Sequence, residues 1–158
     1  MRKLPLIAVL LPLFIISGCA NNADATDYLS LPFESEARIV IDSSEYFVTI
    51  KKGGANLVYV TVNYPDSFRG MSVSLGEESA ITFRGVKADC AFPRSAAELI
   101  YEAFETANIT EAFSEGDMQT VRFSSRLGSG SVRLDAFSSV PVSLESGDVY
   151  IEFTDFQR

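Results

Sequence analysis

Two thiols and no imidazole bound the chemistry open to this chain. Cys19 and Cys90 are its only cysteines, and none of the 158 residues is histidine. That removes Ser-His-Asp and Cys-His catalysis together with the commonest zinc ligand. Cys19 follows Ile16, Ser17 and Gly18, one apolar residue and two small ones. A thiol there is a nucleophile open to covalent modification. If Cys19 is consumed that way, Cys90 has no partner for an intrachain disulfide. The alternation Val86, Ala88, Cys90, Phe92 places Cys90 on an apolar face, so it reads as a small buried hydrophobe whose thiol resists alkylation.

Other reactive-looking stretches lead nowhere catalytic. The glycine-rich run at 124–130 connects strands, opens no helix and lacks the P-loop lysine. Glu77-Glu78 and the group Glu111, Glu115 and Asp117 match no EF-hand spacing and read as solvated acidic turns. No two carboxylates are positioned across a cleft as a glycosidase requires. The expectation is a protein that is not an enzyme, with no metal and no cofactor beyond acyl groups on Cys19.

The elements that position Cys19 precede it. Arg2 and Lys3 form a positive n-region, and residues 4–16 an apolar h-region too short to span a bilayer comfortably. Ile16-Ser17-Gly18-Cys19 resembles the lipobox of bacterial lipoproteins. The resemblance implies cleavage before Cys19, with Ile16, Ser17 and Gly18 read by the signal peptidase. Residues 1–18 are then signal, 19–31 lipidated N-terminus and tether, and 32–158 the domain. Taking 18 residues from 158 leaves 140, one domain's worth, and losing Arg2 and Lys3 moves the formal charge from −8 to −10. So acidic a surface repels nucleic acid and anionic headgroups, so the membrane is held through acyl chains, at about 0.8 kcal/mol per buried CH₂. The expected location is the cell envelope outside the cytoplasm, in the outer membrane where the cell has one.

Beyond the tether, period-two alternation dominates. Phe33, Ser35, Ala37, Ile39 and Ile41 share one strand face, and Tyr46, Val48 and Ile50 a second, running into a hairpin-type turn at 51–54. Val58, Val60 and Val62 point inward from a third strand. Met71 to Leu75, Ile81 with Phe83, and the Cys90 segment continue the pattern. Residues 96–107 carry a helical stripe of Leu99, Ile100, Ala103 and Phe104, with Ser95 and Glu98 at capping-box spacing and Asn108 as a stop. Residues 109–113 read as a short turn. Strands return around Val121, Val132, Val142 and Ile151. The pattern predicts an α+β fold: an antiparallel sheet of about nine strands with one amphipathic helix crossing one face.

The order of several landmarks is similar to the LolA/LolB-like lipoprotein-carrier superfamily. They are Phe33-Glu34-Ser35-Glu36-Ala37, the turn Tyr64-Pro65-Asp66-Ser67-Phe68-Arg69-Gly70, the helix after Phe92-Pro93-Arg94, and a closing hairpin from Leu134-Asp135-Ala136 to Phe153. The resemblance implies that this sheet is curved into an incomplete β-barrel, a half-barrel with the helix on its concave face as a lid over a hydrophobic cavity, taking acyl chains or other amphiphiles. Val58, Val60, Val62, Ile81, Phe83, Leu99, Ile100 and Phe104 are the candidate lining, and the same residues could simply fill a core. Two functions therefore compete. One is an anchored binder of a hydrophobic or amphiphilic ligand. The other is a non-enzymatic scaffold or regulatory partner of an envelope protein or cell-wall enzyme.

Overall fold

A computed structural model of the chain describes residues 27–30, 32–53, 57–76, 79–87 and 91–157. Ile16, Ser17, Gly18, Cys19 and Cys90 lie outside the described residues. A short helix α1 (Asp27–Ser30) leads into β1 (Phe33–Ile41), β2 (Ser44–Gly53), β3 (Leu57–Tyr64), β4 (Met71–Leu75), β5 (Ala80–Phe83) and β6 (Val86–Lys87). Helix α2 (Ala91–Tyr101) runs directly into a π-helical turn, Glu102–Thr106. The chain then returns as β7 (Asn108–Glu115), β8 (Met118–Ser125), β9 (Gly128–Asp135), β10 (Pro141–Ser146) and β11 (Val149–Gln157).

All eleven strands join one antiparallel sheet in the order β6-β5-β4-β3-β2-β1-β11-β10-β9-β8-β7. Neighbours in space are neighbours in sequence except at the centre, where the first strand pairs the last, Ile39 opposite Ile151. Register carries one apolar band across the sheet: Val73 faces Val60, Val60 faces Ile50, and Ile50 faces Ser35. Beyond the centre the band continues through Ile151, Leu144, Val132 and Val121. These band residues are all buried, and each aliphatic one contributes about 1.5–3 kcal/mol by leaving water. A sheet this wide can bury one face under a single helix only by curving around it. The α+β fold expected from the alternation, with the curvature the resemblance implies, is the observed architecture.

Local differences have physical causes. The described sheet has eleven strands rather than about nine, and one of the additional strands is β7, over 108–115, expected as a helix stop and a turn. Its side chains are exposed apart from half-buried Ile109, so period-two burial had no apolar face to mark. The helix begins at Ala91, not 96, which puts Phe92 in a helix instead of a strand and Ser95 in a helix interior. Val86, expected to face inward, is 68% exposed on the two-residue edge strand β6. Lys51 to Gly53 belong to β2 rather than to the turn after it.

Candidate functional site

The concave face is built from both sides. Along α2 and the π turn, Ala96, Leu99, Ile100, Ala103 and Phe104 recur at helical spacing, and all are buried. Ala96 and Ala97 offer only methyl groups, so the helix axis can approach β3 and β4 closely. The π turn then buries Glu102, Ala103 and Phe104 in succession, a run an ordinary amphipathic helix does not hide. Phe104 stands at the centre of an aromatic cluster. Its ring centroid lies 5.2 Å from that of Phe33, 5.5 Å from Tyr28 and 5.7 Å from Phe153. Edge-to-face geometry prevails in the pairs with Tyr28 and Phe153.

Polar groups interrupt this interior. Lys52 continues the inward phase of Val48 and Ile50, and only 4% of its side chain is exposed. Its Nζ donates to the Leu29 carbonyl at 2.9 Å, which ties β2 to α1. The same Nζ lies 2.9 Å from Oε1 of Glu105, itself 8% exposed, in an ion pair whose angle falls short of a hydrogen bond. Among the described residues the buried Tyr28 hydroxyl has no partner, and burial pushes its pKa up. Nearby, buried Glu102 accepts from Arg126 Nε and from Thr106 Oγ1, each at 2.9 Å. Unmatched or charged groups at this depth are costly, so a plain core would not select them.

Val58, Val60, Val62 and Ile81 share the concave face, and Leu99, Ile100 and Phe104 are buried with them; Phe83, opposite Met71, is half-buried. Three clefts lined by described residues indent the rim of this packing. One of about 270 Å³ lies against Val73, Leu75 and Ile81, with Lys87 and Arg94 beside it. A second, about 360 Å³, runs between Leu99 of α2 and the turns at Leu127 and Gly147. The third, about 440 Å³, is bounded by Phe33, Lys52 and Tyr59. Ile81 and Leu99 border clefts, whereas Val58, Val60, Val62, Ile100 and Phe104 border none of these three. Lys52, Glu105 and Tyr28 escaped sequence reasoning. The inward phase of Val48 and Ile50 was the available signal for Lys52, overridden by reading Lys51-Lys52-Gly53-Gly54 as a turn.

Among the described residues no group of three or more potential ligand side chains could hold a metal ion, and no helix is long and apolar enough to cross a membrane. No protein-family model matches the sequence, and no curated protein matches it significantly. Similar solved structures are found. An uncharacterized conserved protein from Thermus thermophilus superposes with a TM-score of 0.54 at 13% identity, covering 85% of this chain and 82% of that one. A LolA superfamily protein from Nitrosomonas europaea gives 0.45 at 9% identity, over 81% and 86% of the respective chains. The first likeness, at 13% identity, is one of fold alone.

Proposed function

We propose that this chain is a membrane-anchored extracytoplasmic lipoprotein, acylated on Cys19, whose half-barrel binds a hydrophobic or amphiphilic ligand without transforming it. The observation that carries the reading is the composition of the space beneath the helix. A continuous apolar floor is capped by Phe104, and beside it lie a buried lysine and an unpartnered buried hydroxyl. An amphiphile has use for both kinds of group: its chain for the floor, its polar end for the donors. Ligand entry requires the helix and its π turn to lift, since Phe104 fills the centre in the form described here.

That same filling supports a second reading, a non-enzymatic partner or scaffold of an envelope protein. Strand β7 ends the sheet, is eight residues long and carries no proline, so its outer edge can pair with another chain. Titration of the domain from Ala20 onward with a fluorescent fatty acid separates the two. Saturable binding that protects against urea supports the ligand reading. No binding up to the solubility of the probe refutes it and leaves the partner.

A further inference from the structure

We propose that the β9–β10 turn is a second membrane contact, with Phe137 seated in the bilayer interface when the chain is anchored; this rests on the lipoprotein reading above. Phe137 is 82% exposed, more than any other large apolar side chain among the described residues. The turn that presents it is firmly built. Asp135 Oδ1 accepts from Phe137 N at 3.1 Å, from Ser138 N at 2.8 Å and from Ser138 Oγ at 2.7 Å. Ser139 N donates to Asp135 O at 2.9 Å, and Ser139 adopts a positive φ of 54° that few non-glycine residues take. Ala136 N donates to Asp117 O at 2.9 Å, which fixes the turn to its β7–β8 neighbour. Exposure of the ring is therefore a property of an ordered turn.

Strand direction places this turn at the end of the sheet where β1 begins, the strand end nearest in sequence to Cys19. β1 begins at Phe33 beside the end of β11, with Glu34 opposite Gln157. β10 runs antiparallel to β11, so its first residue, Pro141, lies at that same end, and β9 finishes there at Asp135. The turn is two to three strands from β1, about 12 Å at the usual strand spacing. Cys19 and Asp27 are eight positions apart, a span of at most about 29 Å. A phenyl ring on that end thus comes within reach of the layer that holds the acyl chains. Exposed Glu115 and Asp117 share the tip, so attraction to anionic headgroups is not the source of contact. The contact is apolar and withstands salt.

The chain has no tryptophan, so Phe137→Trp and Leu127→Trp each install a unique fluorophore in the full lipidated protein. Leu127, also exposed, stands in the turn at the opposite end of β9, about 26 Å away at the rise of an eight-residue strand. Both variants are reconstituted in phosphatidylethanolamine–phosphatidylglycerol vesicles with brominated acyl chains. The expected result is at least twofold quenching and a blue shift for Phe137→Trp, unchanged in 0.5 M salt at about a 4 Å Debye length, with Leu127→Trp unquenched. Equal quenching of the two, or none for Phe137→Trp in vesicle-bound protein, overturns the proposal. Mass spectrometry of the same protein keeps the two failures apart. An unacylated Cys19 sinks the anchoring reading and this inference with it, whereas acylated, bound and unquenched protein sinks this inference alone.

Discussion

Phe104→Ala distinguishes a helix that is core from one that is merely laid over a site. The ring is fully buried and meets Phe33, Tyr28 and Phe153 at centroid distances of 5.2, 5.5 and 5.7 Å. Its removal forfeits about 2–3 kcal/mol of transfer free energy. Aromatic pairs of this kind add about 0.5–1.5 kcal/mol each, not all of it lost as neighbours relax. The cavity left behind brings the expected cost to about 3–5 kcal/mol. With an m-value of about 2 kcal/mol/M, the urea midpoint falls by about 2 M while m itself stays constant. For a domain of this size the melting temperature drops by about 10–20 °C. The assay is urea unfolding of wild type and mutant, followed by far-UV circular dichroism. A loss below about 1.5 kcal/mol refutes the reasoning, because the packing described around Phe104 cannot be that loose.

Other perturbations test separate parts of the structure. Cys19→Ser abolishes incorporation of labelled palmitate and leaves an unprocessed precursor; equal incorporation in both forms overturns the lipobox reading. Lys52→Met strands the buried Glu105 carboxylate and costs about 3–5 kcal/mol, whereas Lys52→Met with Glu105→Leu recovers most of it; a double-mutant cycle by urea unfolding checks the coupling. Two carboxyls titrate in opposite senses. A hydrogen bond shared with Asp148 raises the pKa of Asp42, so its contribution to stability is full below the ordinary aspartate pKa and is lost as pH rises through the folded value. The hydroxyl and amide of Ser138, then the amide of Phe137, lower Asp135, whose contribution is present above the ordinary value and is lost as pH falls through its folded pKa. Asp148→Asn therefore removes the first dependence and Asp135→Asn the second, read as melting temperature between pH 2 and 7.

The sheet was legible because its inward residues are apolar and its outward ones polar, a contrast strongest at Val58, Val60 and Val62 beside Tyr59, Thr61 and Asn63. Reading failed where that contrast is missing. β7 alternates between two solvated faces, so Glu111, Phe113 and Glu115 gave no phase to follow. The helix start failed for another reason. Ser95-Ala96-Ala97-Glu98 has the spacing of a capping box, yet Arg94 Nε donates to Glu98 Oε1 across one turn at 2.9 Å, an i,i+4 pair that belongs to a helix interior. Local signals of that sort are weak against the tertiary packing that decides where a helix begins.

The candidate site was legible only in its apolar half, and the reason bears on function. Alternation finds residues that leave water, but says nothing of charges carried inward with them. Lys52 occupies an inward position of β2, directly opposite Phe33 and Val58. Neither of those cross-strand neighbours carries a charge to neutralise it. Its partner comes from Glu105, about fifty residues on and across the concavity, and its second acceptor from the Leu29 carbonyl. One ammonium thus holds the sheet, the helix end and α1 to a common point. Stability alone gives little reason for it, since an apolar trio of similar volume would hold as well or better. A polar tie does differ from an apolar one in response to a charged ligand: a carboxylate or phosphate can replace Glu105 on Lys52, whereas nothing in an amphiphile competes with a leucine for its site. The position of the charge favours the binding reading over a passive scaffold, and the Lys52→Met, Glu105→Leu double variant is the form in which the two part. It should fold as well as wild type, yet lose preference for an anionic over a neutral amphiphile in probe competition; unchanged preference would count against a polar site at this point.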